Sequence, residues 1–211
     1  MKKLLFIVCS LFLIMSMNAQ KQIKLNAPNK SRGTTVMKAL SERHSVRDFS
    51  SKELSLQDLS DLLWAANGIN RSDGKRTAPS AMNKQDVDIY IIMKSGAYLY
   101  DAKNQALKPV VSKDLRGDVA GGQDFVKAAP VSLVLVSDIS RFGSMASKEM
   151  NTIMGAVDVG TVCQNINLFC AATGLITVPR ASMEKEALKQ SLKLTDNQIL
   201  IMNNPVGYPQ K

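Results

Sequence analysis

The stretch with most chemistry in it is Arg43-His44-Ser45-Val46-Arg47-Asp48-Phe49. In an extended backbone side chains alternate, so Arg43, Ser45 and Arg47 project to one face. At about 3.3 Å per residue, Arg43 and Arg47 then stand roughly 13 Å apart. That reach lets Arg43 and Ser45 hold a phosphate while Arg47 meets a planar ring system farther along. A guanidinium suits both tasks, being permanently charged and forked to match phosphate oxygens or a flat acceptor edge. A solvated basic turn after a short helix is the plainer reading of the same residues.

Two more stretches carry polar chemistry: Pro79-Ser80-Ala81-Met82-Asn83-Lys84-Gln85 and Gly174-Leu175-Ile176-Thr177-Val178-Pro179-Arg180-Ala181-Ser182. Read singly, Pro79-Ser80 and Pro179 are turn residues, Asn83 is a turn cap and Arg180 is a solvated loop cation.

The elements that must position these residues follow from local patterns. Thr34-Thr35 caps a short helix through Val36, Leu40 and Glu42,. Ser55-Leu56-Gln57-Asp58 resembles a capping box, and Leu59, Leu62, Leu63 and Ala66 follow at helical spacing up to a Gly68 stop,. Residues 70–85 form a loop. Asp88–Met93 and Val131–Val136 are apolar and rich in β-branched residues, as buried strands are, and Tyr98–Tyr100 with Leu107–Val111 makes a hairpin,. Lys113–Gly122 is polar, and Phe125–Ala129 closes a short helix. Met150–Gly174 is helix-length and apolar nearly all round, which predicts the central buried helix, and its Gly155, Ala156 and Gly160 permit close backbone approach,. Leu175–Val178 is a short strand, Ser182 caps a helix through Leu192, and Ile199–Met202 is the last strand. Helices and strands do not alternate regularly, so the predicted class is α+β, a mixed sheet packed by helices around that central one.

Met1–Ala19 has Lys2 and Lys3, an apolar run from Leu4 to Met15 and a small residue before Gln20. This is the pattern of a secretory signal peptide, too short for a comfortable membrane span, and it predicts an exported, periplasmic protein with no span after processing. Residues 20–33 read as a flexible lead-in and 34–211 as one domain, large enough to bury a core without disulfides. Cys163 and Cys170 stand two helical turns apart, roughly 10 Å and beyond disulfide reach. With a single histidine in the chain, no metal-ligand cluster forms,. The formal charge of +9 over 211 residues is dispersed and the aromatic content is 5%, which argues against a nucleic-acid partner,.

Taken together and in this order, the three polar stretches and the ending Pro205-Val206-Gly207-Tyr208-Pro209 resemble the FMN-dependent nitroreductase family. The resemblance runs from about Val36 to Pro209, and the hairpin region is most similar to the branch containing azoline dehydrogenases. It implies an FMN bound at the interface of an interlocked homodimer. Arg43 and Ser45 would hold the FMN phosphate, with His44 contributing mainly backbone. Arg47 would face the pyrimidine edge and stabilise charge that collects there. Pro79, Ser80, Ala81 and Asn83 would reach the ring from the other subunit. The backbone at Arg180, Ala181 and Ser182 would pass beside the reactive nitrogen. No side chain is expected to act as a general base, because the chemistry belongs to the cofactor.

Two departures from the family's pattern stand out. Asp86-Val87 follows Gln85 where many members carry Pro-Trp, and only Lys211 offers a basic residue after the Gly-Tyr-Pro ending, which predicts weaker FMN binding. The expected function is an exported FMN oxidoreductase acting on a small molecule. Its donor is NAD(P)H by family habit, or another reductant if the chain works away from the cytoplasmic nicotinamide pool. The alternative is an exported binding module that keeps the fold without flavin.

Overall fold

The computed structural model describes residues 20–144 and 146–210. The expected leader, residues 1–19, and Lys211 lie outside the described residues. Among the described residues seven strands form one sheet: β1 (Ile23–Lys24), β2 (Val87–Met93), β3 (Gly96–Asp101), β4 (Ala106–Val111), β5 (Val131–Asp138), β6 (Ile176–Thr177) and β7 (Gln198–Gly207). Their order is β1-β4-β3-β2-β5-β7-β6. Among the described residues six α-helices surround it: α1 (Val36–Glu42), α2 (Leu56–Asn67), α3 (Arg116–Ala120), α4 (Phe125–Ala128), α5 (Lys148–Thr173) and α6 (Lys185–Ser191). The α+β class is as expected from the sequence. The pairing, however, is antiparallel throughout rather than mixed, since β2–β3–β4 is a meander and β5 and β7 each run opposite to their neighbours,.

The continuous apolar runs are explained by burial on both faces of the sheet. On β2, Ile89 and Ile91 pack with Leu62, Leu63, Val162 and Ile166 of α2 and α5. Their neighbours Tyr90 and Ile92 point the other way, into a second core with Leu115, Val119 and Leu188 around α3 and α6,. Helix α5 crosses the first face as predicted. Gly155 is the point of closest approach: a Cβ there would lie 2.8 Å from the Ser137 Cβ of β5,. Its opposite side, Met150, Ile153 and Val157, is exposed at i, i+3, i+7 spacing,.

Local capping follows the sequence. Thr35 caps α1, accepting a bond from the Lys38 amide, and Ser55 caps α2, accepting one from the Asp58 amide at 3.0 Å. Three expectations are corrected. Ser182 is not the cap of α6; that helix starts after Glu184, with no side-chain cap. The polar stretch 113–122 contains α3, whose Val119 and Ala120 are fully buried. Residues 20–33 are not a flexible lead-in: β1 adds to the edge at β4, Asn26 N–H donates to Ser60 Oγ, and Asn29 N–H donates to Asp61 Oδ1.

Arg32 completes that docking by bridging Asp58 and Asp61 of α2. Burial alone would raise the Asp58 pKa, but hydrogen bonds from Ser55, Tyr208 and Arg32 outweigh it and hold the carboxyl below its ordinary value,. A depressed folded pKa contributes stability above the unfolded value and loses it as pH falls through the folded one. We therefore expect Arg32→Ala to lower stability by about 2 kcal/mol at neutral pH. In urea titrations the wild-type advantage should shrink progressively below the ordinary aspartate range.

Candidate functional site

The basic stretch is extended, as the alternation requires. Arg43 leaves α1 with φ −62° and ψ 118°. Val46 N–H then donates to Thr177 O at 3.1 Å, Phe49 bridges to Pro209, and Gln210 N–H donates to Asp48 O. Alternate residues do take opposite sides. His44 and Val46 line a cavity of about 510 Å³ with Asn167, Cys170 and Thr177, which Arg43, Ser45 and Arg47 do not line. The His44 ring donates from Nδ1 to the Glu42 carbonyl oxygen at 2.7 Å, so it is tied locally.

On the other side the chain runs toward Phe125, in α4. The Arg47 guanidinium carbon lies 5.8 Å from the centre of the Phe125 ring, and Phe49 packs with Val178, Ala129 and Phe125,. A second guanidinium, that of Arg180, lies 5.7 Å from the same ring.

Arg180 is not the solvated loop cation that its position suggests. It is 7% exposed and bonds oxygen atoms only: Val119 O, Ala120 O, Asn203 Oδ1 and Gln123 Oε1, at 2.7–3.1 Å. Burial pushes its pKa down with no carboxylate to offset it. Its backbone is used as well, since Arg180 N–H donates to Asn203 O and Asn203 N–H donates back. The Arg180 amide is therefore not available to a ligand, which corrects that part of the expectation. Ala181 and Ser182 follow in an exposed loop, and their amides find no acceptor among the described residues.

Among the described residues, no acid lies within ion-pair distance of Arg43, Arg47 or Arg180. Two guanidiniums without an acid partner among the described residues, those of Arg47 and Arg180, meet at the Phe125 ring, and the extended stretch continues back from Arg47 to Ser45 and Arg43. Chemically this suits a ligand with one anionic end and one flat, electron-accepting end.

Pro79, Ser80, Ala81 and Asn83 are elsewhere in the chain. Pro79 O accepts from Thr161 Oγ1, and Ala81 N–H donates to both carboxyl oxygens of Asp158, at 2.8 and 3.0 Å. Those anchors sit in the middle of α5, whereas the basic stretch meets the fold at residues 167–177. At 1.5 Å per residue, Asp158 and Asn167 are separated by about 13 Å along the helix. The 79–85 segment is also strained, with Met82, Asn83 and Gln85 at φ 51°, 53° and 49°. Non-glycine residues there cost of order 1 kcal/mol each and persist only where surroundings fix them. Asp86 follows, fully buried, with its pKa pushed up to about 7, chiefly by burial and further by the neighbouring Asp158.

Sequence reasoning missed Phe125 and Gln123 as neighbours of the arginines and missed Asp158 as the anchor of the 79–83 segment. Nothing local marks them, because their roles depend on partners 55 to 78 residues away.

Comparison with known proteins places the sequence and the fold. The sequence profile of the nitroreductase family matches residues 40–208. A Methanocaldococcus jannaschii protein named as a candidate nitroreductase is 27% identical over 181 residues, 80% of this chain and 88% of that protein. A Bacillus subtilis FMN reductase (NAD(P)H) is 22% identical over 188 residues, 82% of this chain and 66% of that protein. A crystal structure of a candidate nitroreductase from Ralstonia eutropha superposes with a TM-score of 0.85 at 33% identity, covering 92% of both chains. With a family match that spans most of its length and the same fold carried by a relative, this chain belongs to the nitroreductase family.

Proposed function

We propose that the protein is an FMN-dependent oxidoreductase of small molecules, active as a homodimer and exported. The observation that supports the flavin reading is the meeting of Arg47 and Arg180 at the Phe125 ring, with no acid partner among the described residues, at one end of an extended stretch whose same side carries Ser45 and Arg43. The donor set fits FMN: a phosphate for Arg43 and Ser45, and a flat heterocycle for Arg47. The Bacillus subtilis relative's name, FMN reductase, supports the same cofactor. When bound, FMN supplies the two-electron chemistry, taking hydride from a donor and passing it to an acceptor.

The chain's own residues bind, orient and polarise. Arg43 neutralises phosphate charge and Ser45 adds a hydroxyl donor. Arg47, kept close to the Phe125 ring, holds positive charge where the reduced ring system is negative. Arg180 fixes the floor of this region through Val119, Ala120 and Asn203, and adds a second uncompensated charge nearby.

Two observations support a dimer. The segment Pro79–Asn83 lies well away along α5 from the basic stretch of its own chain, as a site completed by the partner's Ser80 and Ala81 requires. Met150, Ile153 and Val157 of α5 and Val36, Met37 and Leu40 of α1 are exposed apolar side chains, a surface that a second copy would cover,. Export rests on the pattern of residues 1–19, and it favours a donor other than soluble nicotinamide.

The purified chain lacking residues 1–19 should take up FMN and turn yellow; a protein that stays colourless after FMN is added overturns the reading and leaves the bare binding module. Anaerobic mixing with NADH and NADPH should bleach the flavin slowly, and bleaching at turnover rates would overturn the choice of donor. Arg43→Ala should weaken FMN binding about tenfold or more, the loss of a charge-assisted hydrogen bond, with reduction of the retained flavin little changed. Arg47→Ala should slow flavin reduction more than it weakens binding. Equal losses of affinity alone in both variants contradict the division of roles.

A further inference from the structure

The strained segment 79–85 is held in place by two acids that the function proposed above leaves unused. Asp86, at the entrance to β2, is fully buried, and Ser137 Oγ donates to its Oδ2 at 2.5 Å. Its Oδ1 finds no N–H or O–H donor among the described residues. The Asp158 carboxyl, 4% exposed and one turn beyond Gly155 on α5, is the neighbouring acid that, after burial, pushes the Asp86 pKa up. Asp158 spends both of its oxygens on the Ala81 N–H. Gly155, one turn before Asp158, is what lets α5 come close enough: a Cβ there would meet Ser137 and stand 3.4 Å from Asp86 Oδ2.

Two ionised carboxyls in contact in a dry interior repel, while one proton between them turns the repulsion into a hydrogen bond. The other charged groups around the pair are already engaged. From the turn after β5, Arg141 bonds Asp88 of β2, Asp138 of β5 and the Gln85 carbonyl. From β5 itself, Ser137 presents a hydroxyl. From α5 only Asp158 faces the pair, and from the loop only the Ala81 N–H. Among the described residues, Arg141 is the cation whose charge reaches Asp86, and its guanidinium is engaged by Asp88, Asp138 and the Gln85 carbonyl.

We propose that Asp86 and Asp158 are positioning residues that share one proton, and that the pair so held fixes the backbone at Ala81 and with it the shape of the segment that closes the flavin edge. This rests on the flavin reading above. Loss of the proton forces the carboxyls apart and frees the Ala81 N–H. Because burial raises the Asp86 pKa, the proton is retained through the acid range and lost as pH rises through neutrality,. The clamp is therefore closed at low pH and open at high pH.

The test is amide exchange at Ala81 in the chain lacking residues 1–19, without flavin, from about pH 5 to about pH 9, corrected for intrinsic rates. Wild type should lose about tenfold of its protection, a unit's worth of differential proton binding, as pH rises through neutrality. Asp86→Asn keeps an amide donor for Asp158 but cannot titrate, so its protection should be high and flat. Ser137→Ala removes the hydroxyl that favours the charged form, and should move the midpoint to higher pH without abolishing it. FMN dissociation constants over the same range should follow the wild-type profile and flatten in Asp86→Asn. Protection that is independent of pH in wild type, or a Ser137→Ala profile that superposes on it, overturns the proposal. Failure to bind FMN at every pH with the exchange profiles intact overturns the flavin reading and leaves the carboxyl pair standing.

Discussion

A polar group taken out of water must find a partner, and the structure rests on how α5 meets that demand. This 26-residue helix lies across the sheet with an apolar inner surface in which a few polar side chains are set. Each selects one segment of chain. Asp158 takes the Ala81 amide and Thr161 takes the Pro79 carbonyl. Asn165 donates to the Ala66 carbonyl of α2. Asn167 and the Cys163 thiol meet Asn204 of β7, whose amide also reaches Thr177 of β6. An apolar helix alone would tolerate slippage against the sheet; these bonds do not, because a shifted register leaves several buried groups unpaired. The middle of α5 thus fixes the 79–83 segment, and its C-terminal half fixes β6 and, through Thr177, the basic stretch.

Electrostatics at the site follow from the same economy of partners. The acids elsewhere are largely spent on local bridges, such as Arg32 with Asp58 and Asp61, and Arg141 with Asp88. Arg180 is buried against carbonyl and amide oxygens that satisfy its donors without cancelling its charge. A positive potential therefore persists near Phe125 and Arg47, where an anionic or electron-accepting ligand would be favoured. The antiparallel sheet and its two cores supply the rigidity that keeps these groups from collapsing onto one another.

Much of this was legible in the sequence where the physics is local. Strands β2 and β5 announce themselves because burial on both faces demands unbroken apolar runs. Helix α2 is marked by the Ser55 cap, and the odd–even split of residues 43–49 follows from strand geometry alone. What could not be read depends on distant partners. Arg32 looks like one more surface cation until Asp58 and Asp61 are brought to it. Asn203 and Asn204 read as the end of a strand, yet β7 continues through them because Arg180 and Asn167 satisfy their amides inside. Helix α3 escapes notice because only Val119 and Ala120 betray its buried side. The burial of Arg180 is equally illegible, since nothing near it in the chain supplies the oxygens that hold it.

The proposed function requires a flavin mononucleotide held between two copies of this chain. Sedimentation velocity of the chain without residues 1–19, mixed with FMN and followed at the flavin absorbance, tests this most directly. The flavin should travel with a species of twice the chain's mass. Flavin left behind at the meniscus, with the protein sedimenting as a monomer, would contradict it.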